Sequence, residues 1–284
     1  MEEPEIALPP HSQRRITRYL RKKMAQAIIT SHSPYVIEEF KLSEILALGR
    51  DGDRLSGHVV PTDGIRARTL RVQRRQLAEA ILARAVVVGE GISECTVLAA
   101  TSTALETLEQ GQYDPFDVTG ISLFAAGGRG EVPKWGPFFD SLGKKTFAFY
   151  DRPAARLSAD DQAKLGRYSI NQPTAYAGLE DLLVAEIPVA VQRVFLQTVM
   201  AQPDCPPNLP TDFAALGDDD AKALVHSVLC QRKGDGYSAM LIEHCSSKDQ
   251  LPPTIVAFLA ATHKQMKLPP LDDEAGEGPA RRSS

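Results

Sequence analysis

Three short, unbroken apolar runs, at residues 85–88, 121–125 and 146–150, constrain this chain more than any other feature. Apolar residues without polar alternation are what a strand buried on both faces shows. Between the runs lie stretches of helical spacing, at about residues 94–109 and 133–141. The order strand, helix, strand, helix, strand predicts an α/β fold with a parallel sheet flanked by helices. Beyond about residue 176 the strand signals stop. GLEDLLVAEIPVAVQRVFLQTVM, DDDAKALVHSVLC, GYSAMLIEHC and TIVAFLAATHKQM all have helical character, so a helical domain is expected to follow.

Upstream, RRITRYLRKKMA (14–25) has helical spacing with a basic face, and AQAIITSHSP predicts a short strand that runs into proline. SEILALGRDGDRLSGHVVP places two apolar runs around a Gly/Asp break and predicts a hairpin, after which RTLRVQRRQLAEAILA returns to helical spacing. The closing LDDEAGEGPARRSS has no apolar side chain but alanine and proline after its leucine and is expected to be disordered. The divisions expected are therefore 1–64, 65–176, 177–268 and a tail at 269–284.

With 284 residues, 43% of them hydrophobic, the chain can bury a substantial core. The formal net charge of −4 provides no global cationic surface, so any nucleic-acid contact must come from local patches. Two such patches stand out: Arg14, Arg15, Arg21, Lys22 and Lys23, and Arg66, Arg68, Arg71, Arg74 and Arg75. Both also fit ordinary solvated helix faces or contacts to another domain. Cys95, Cys205, Cys230 and Cys245 form no CxxC pair, which argues against a zinc module and a disulfide scaffold. No run reaches the roughly 18 apolar residues of a membrane span, and no secretory signal pattern opens the chain. A cytoplasmic protein with no membrane partner is expected.

The first apolar run leads into VGEGISE (88–94). Gly89 and Gly91 begin a G-x-G-x-x-G pattern, but Glu94 stands where its third glycine belongs, and the Gly-Lys-Ser/Thr of a phosphate loop is absent. Two carboxylates at a helix start repel phosphate unless a cation lies between them. The plainer reading makes Ser93 an N-cap and Glu94 a first-turn acid that complements the helix dipole. It leaves Glu90 unexplained, because a carboxylate at the end of an apolar strand must be solvated, paired or bound to metal.

KTFAFYDRP ends in the same manner, with an apolar run delivering Asp151. The carboxyl ends of parallel strands are where open sheets build their sites. Glu90, Glu94 and Asp151 would there form a cluster of hard oxygen ligands suited to Mg²⁺ or Mn²⁺.

The succession strand-E-G-x-S-E-helix, the glycine-rich exit LFAAGGRGEV (123–132) and the later strand-D resemble the Toprim domain of topoisomerases, primases and certain nucleases. The resemblance implies that Glu90 is the family glutamate and Asp151 the first aspartate of D-x-D, which place metal ions for phosphodiester chemistry. It departs at Pro153, where the second aspartate would stand, and Glu94 with a downstream acid is expected to replace that ligand. MEEPEIALPPHSQRR resembles the end of an ABC-type ATPase Walker B motif, with Glu2 and Glu3 as its acids, and ITSHSP resembles that family's histidine switch, with His32 as the switch. No Walker A or ABC signature accompanies them, so the chain is not expected to hydrolyse ATP by itself.

An ATPase tail joined to a Toprim domain resembles the overcoming-lysogenization-defect (OLD) family of nucleases. That implies a divalent-metal-dependent DNA endonuclease with two Mg²⁺ or Mn²⁺ ions, in the class where a helical domain follows the Toprim core. Residues 1–64 would then be the remnant of the ATPase with its linking hairpin, 65–176 the Toprim domain and 177–268 the helical domain. ATP would serve only a longer protein carrying its own N-terminal ATPase domain. DNA is the implied substrate, and a helicase-like protein, as accompanies some members, is a further expected partner.

Two-metal cleavage needs ions roughly 3.5–4 Å apart and several converging carboxylates. Glu180 and Asp181 in GLEDLL are the further candidates, although acids there also simply complement a helix dipole. Lys233 in QRKGDGYSAML resembles a lysine the family places at its site, where it would neutralise transition-state charge. His226, His244 and His263 share no ligand spacing and read as surface or packing residues. Two other functions remain open at this point: a topoisomerase or primase component, and a non-catalytic regulatory or dimerisation module of an ATPase.

Overall fold

The computed structural model describes residue 3 and residues 6–51, 53–62, 73–153, 155–206, 209, 210, 213 and 215–267. Glu2, Arg66, Arg68, Arg71 and the tail at 269–284 lie outside the described residues.

Helix α1 (Pro10–Lys23) opens on a proline, whose missing N–H costs nothing at a first helical position. Its basic face is partly neutralised: Arg14 pairs with Glu38, Arg18 with Glu39 and Arg21 with Glu44. The strand expected next is absent. Only Thr30 forms a bridge, its carbonyl accepting from Glu3 N–H at 3.0 Å. A strand exists only through a ladder, and among the described residues no second strand runs beside this stretch; Ile28 is 78% exposed. A short turn of helix follows, α2 (Pro34–Ile37). The hairpin expectation holds: β1 (Leu46–Asp51) pairs antiparallel with β2 (Arg54–Val59).

After α3 (Arg74–Leu82) comes β3 (Ala85–Gly89), buried along its whole length. Then follow α4 (Ile92–Leu108), the short α5 (Phe116–Thr119), β4 (Ile121–Ala125), α6 (Val132–Asp140) and β5 (Lys145–Tyr150). Apart from α5, which the sequence did not announce, these match the pattern read from the apolar runs to within two residues. Two further elements had no clear signal, α7 (Ala159–Leu165) and β6 (Ile170–Pro173). The sequence of β6, INQP, is mostly polar, and its proline is tolerated because the strand lies at a sheet edge.

The sheet order is β4-β3-β5-β6, with every neighbouring pair parallel. Alternate side chains of β3 serve two cores. Ala85 and Val87 face Val97, Leu98 and Leu105 of α4, whereas Val86 and Val88 face Trp135, Phe138 and Phe139 of α6. Burying each valine contributes about 1.5–3 kcal/mol, enough to hold a strand with little else to specify it. Trp135 is fully packed at 1% exposure, its ring 4.4 Å from that of Phe124.

The C-terminal helices are α8 (Leu179–Glu186), α9 (Val189–Met200), α10 (Asp218–Gln231), α11 (Tyr237–Glu243) and α12 (Pro253–Met266). Their apolar residues join the core that includes Ala85, Val87, Phe147 and Phe149, so the interior runs continuously across residue 176. Among the described residues no single helix is long and apolar enough to cross a membrane.

This topology creates a crevice. From β3 the chain leaves over one face to β4; from β4 it returns over the opposite face, past β3, to β5. Where connections diverge to opposite faces, the carboxyl ends of the two central strands are left uncovered. Those strands are β3 and β5, which end at Glu90 and Asp151.

Candidate functional site

Register places the first two acids side by side. Gly89 is the Cα partner of Phe149, so Glu90 and Asp151 leave adjacent strands within two residues of the same level. Glu94 reaches the same place from the first turn of α4. The N-cap of α4 is Gly91 rather than Ser93, which is buried inside the helix. Glu94 Oε2 accepts from Gly91 N–H at 2.8 Å. The plainer role is thus real, since Glu94 caps the helix, yet this carboxylate is only 3% exposed and faces other acids.

Burial pushes the Glu94 pKa up, and the negative charge of Glu90 adds to the shift, against backbone N–H donors that favour the ionised form. Asp151 is affected more strongly. Its carboxyl is raised from 3.8 to about 7, first by burial and then by the charges of Glu94 and Glu90; Arg129 and Lys233 pull in the opposite direction. Three carboxylates are thus coupled through space, as a site that awaits positive charge would have them.

The helical region supplies two more groups. Glu180, in the first turn of α8, is 4% exposed, and Lys233 Nζ donates to its Oε2 at 3.2 Å. Its Oε1 lies 3.2 Å from the same ammonium but accepts no hydrogen bond, a buried oxygen left without a proper donor. Burial alone would lower the Lys233 pKa, yet the acids Glu180, Glu94 and Asp151 hold it above its ordinary value. Residues nearly 150 positions apart therefore share one electrostatic site.

Asp181 is not drawn into this group. Its Oδ1 stands 3.0 Å from His226 Nε2 on α10, on a more exposed flank, and Cys230 Sγ lies 3.8 Å from the same ring. Helical geometry is the reason: consecutive residues diverge by about 100°, so Glu180 and Asp181 cannot both point inward. His263 pairs with Asp114 at 3.1 Å, and His244 packs edge-on against Phe195. Near the N-terminus, Glu3 and His32 approach to 3.6 Å.

Arg129 is the residue that sequence reasoning passed over. Its Nε donates to Glu90 Oε2 at 3.2 Å, one Nη2 contact reaches Asp151 Oδ2 at 3.5 Å, and Nη2 also donates to the Ala177 carbonyl at 3.2 Å. It thereby links the loops after β3, after β5 and before α8. The loop that presents it is fastened by Gly127 and Gly128, whose N–H groups donate to the Glu90 carbonyl at 3.1 and 2.9 Å. Both glycines have positive φ, +85° and +130°, a region that side chains disfavour. The only signal in the sequence was the glycine-rich run GGRG.

Among the described residues, no group of three or more Asp, Glu, His or Cys side chains is placed to hold a metal ion as it stands. Arg129 and Lys233 instead supply the positive charge. The chemistry of the donors still suits a hard divalent cation: Glu90, Glu94, Asp151 and Glu180 are all carboxylates, and the last keeps an unsatisfied buried oxygen.

Residues 81–152 match the family described as overcoming lysogenization defect protein-like, Toprim domain. The match contains β3, β4, β5, Glu90, Glu94, Arg129 and Asp151, and leaves Glu180 and Lys233 outside. No curated protein sequence matches the chain. Among solved structures, the C-terminal region of the Burkholderia pseudomallei OLD protein is 16% identical, with a TM-score of 0.43, covering 65% of this chain and 99% of that one. The C-terminal region of the Xanthomonas campestris pv. campestris OLD protein is 19% identical, with a TM-score of 0.42, covering 66% of this chain and 96% of that one.

Proposed function

Residues 81–152 are an OLD-like Toprim domain, and on that premise we propose that the chain is the catalytic part of a divalent-metal-dependent DNA endonuclease. The observation that carries this reading is the coupling of Glu90, Glu94 and Asp151 at the crevice between β3 and β5, with Asp151 raised to about 7. A fold does not keep three acids together in a half-dry crevice for stability alone, because each raises the cost of ionising the others.

In this reading Glu90, Glu94, Asp151 and Glu180 hold Mg²⁺ or Mn²⁺, with Glu94 and Glu180 making good the aspartate that Pro153 replaces. Bound there, a divalent ion lowers the pKa of an attacking water and offsets charge on the leaving oxygen. Lys233 stands beside Glu180 as a cation for the scissile phosphate. DNA is the substrate. An ATPase domain in a longer protein and a helicase-like protein are the proposed partners, and the cytoplasm is the proposed compartment.

A topoisomerase would need a tyrosine nucleophile, and six of the seven tyrosines are engaged with other groups. The Tyr150 hydroxyl donates to Asn171, Tyr168 to the Val132 carbonyl and Tyr237 to Asp204. Tyr35 meets Arg75, Tyr113 meets Ser102 and Tyr176 meets Glu186. Tyr19 lies exposed on α1.

Supercoiled plasmid incubated with the chain and Mg²⁺ or Mn²⁺ tests the proposal. Nicked and linear products that vanish in Glu90→Ala and Asp151→Ala, both still folded, are the expected result. Full activity in both variants would refute the assignment. Relaxed closed circles would identify a topoisomerase instead, and neither cleavage nor metal binding would leave a regulatory module.

A further inference from the structure

Arg129 has a placement that the nuclease reading does not by itself require. A guanidinium remains charged at any physiological pH and presents a planar fork of donors. Here the fork spans Glu90 Oε2 at 3.2 Å and Asp151 Oδ2 at 3.5 Å. These are the acids that leave the two central strands, so the guanidinium occupies the space between them. Its side chain is 32% exposed, which allows it to leave without opening either core. The loop itself need not move with it, because that loop is held by backbone bonds from Gly127 and Gly128 to the Glu90 carbonyl. Lys233 cannot take over this role where it stands, since its hydrogen bond is made to Glu180.

We propose that Arg129 is a resident counter-cation: its guanidinium holds Glu90 and Asp151 together until a divalent ion takes the two carboxylates and displaces it. The inference rests on the metal-dependent reading above and adds a competition that the reading does not contain. Without Arg129 the two acids would keep only the charge of Lys233, which is bonded to Glu180, and their mutual repulsion would strain the crevice. With it, the fold is poised but must exchange one cation for another, which sets the metal concentration at which the site fills.

The test is Mn²⁺ binding to the intact chain, followed by calorimetry and by the rise in melting temperature on adding Mn²⁺. Arg129→Gln removes the charge while keeping a polar side chain, and Arg129→Lys keeps the charge. Arg129→Gln is expected to melt lower than wild type in chelator and to bind Mn²⁺ about fivefold more tightly, the worth of one partly exposed ion pair. Arg129→Lys, which keeps the charge but not the fork, should fall between wild type and Arg129→Gln in both. Equal or weaker Mn²⁺ binding by Arg129→Gln, beside a wild type that binds Mn²⁺ and cuts plasmid, would overturn the counter-cation role and leave the nuclease standing. A wild type that neither binds Mn²⁺ nor cuts DNA would overturn both.

Discussion

Asp151→Asn should make this protein more stable above neutral pH in the absence of metal. The folded-state pKa of Asp151 is about 7 against an ordinary 3.8. A raised carboxyl pKa means that the fold favours the protonated form. The stability this contributes is present in full below about 3.8, declines as pH rises and is gone above about 7. A shift of about 3 units corresponds to about 4 kcal/mol, which becomes the cost of ionising Asp151 in the fold at pH 8. Asparagine has nearly the same volume and mimics the neutral acid, so it removes up to about 4 kcal/mol of strain there and almost none at pH 4. For a domain of this size that amounts to about 10 °C in melting temperature. Urea denaturation of both proteins in chelator, at pH 4 and pH 8, measures it. A variant no more stable than wild type at pH 8, or one whose advantage is the same at both pH values, would refute the electrostatic account of the crevice.

Glu94→Gln should lower the Asp151 pKa, because Glu94 is the largest of the charges raising it, while Lys233→Met should raise it; carboxyl carbon shifts followed by NMR titration give both directions. Gly136→Ala should cost about 1–3 kcal/mol by overpacking, since a Cβ there would stand 2.4 Å from the buried Tyr168 ring. An unchanged melting temperature in that variant would show that α6 can shift away from Tyr168.

The apolar runs that announced β3, β4 and β5 were legible because a strand buried on both faces leaves no choice of residue class. Glu90 and Asp151 were legible for the same reason, as charges directly after runs that tolerate none. β6 escaped notice because an edge strand of four residues carries no such demand. The strand expected before Ser31 failed because β-branched residues favour an extended chain but cannot supply a partner. Glu94 lies beside Glu90 and Asp151, and the cap at Gly91 rather than Ser93 depended on backbone angles that glycine permits without announcing.

By itself, then, the sequence determined that a parallel sheet with helices on both faces must form here, and that two acids must emerge at strand ends. Hydrophobic burial is read residue by residue, so it is written locally. Only the tertiary structure decided which side chains meet there. The order β4-β3-β5-β6 opens the crevice, the phase of α8 turns Glu180 inward and Asp181 toward His226, and a loop of two positive-φ glycines sets Arg129 between Glu90 and Asp151. Those are relations between distant segments, fixed by how helices and strands pack, and no spacing along the chain encodes them.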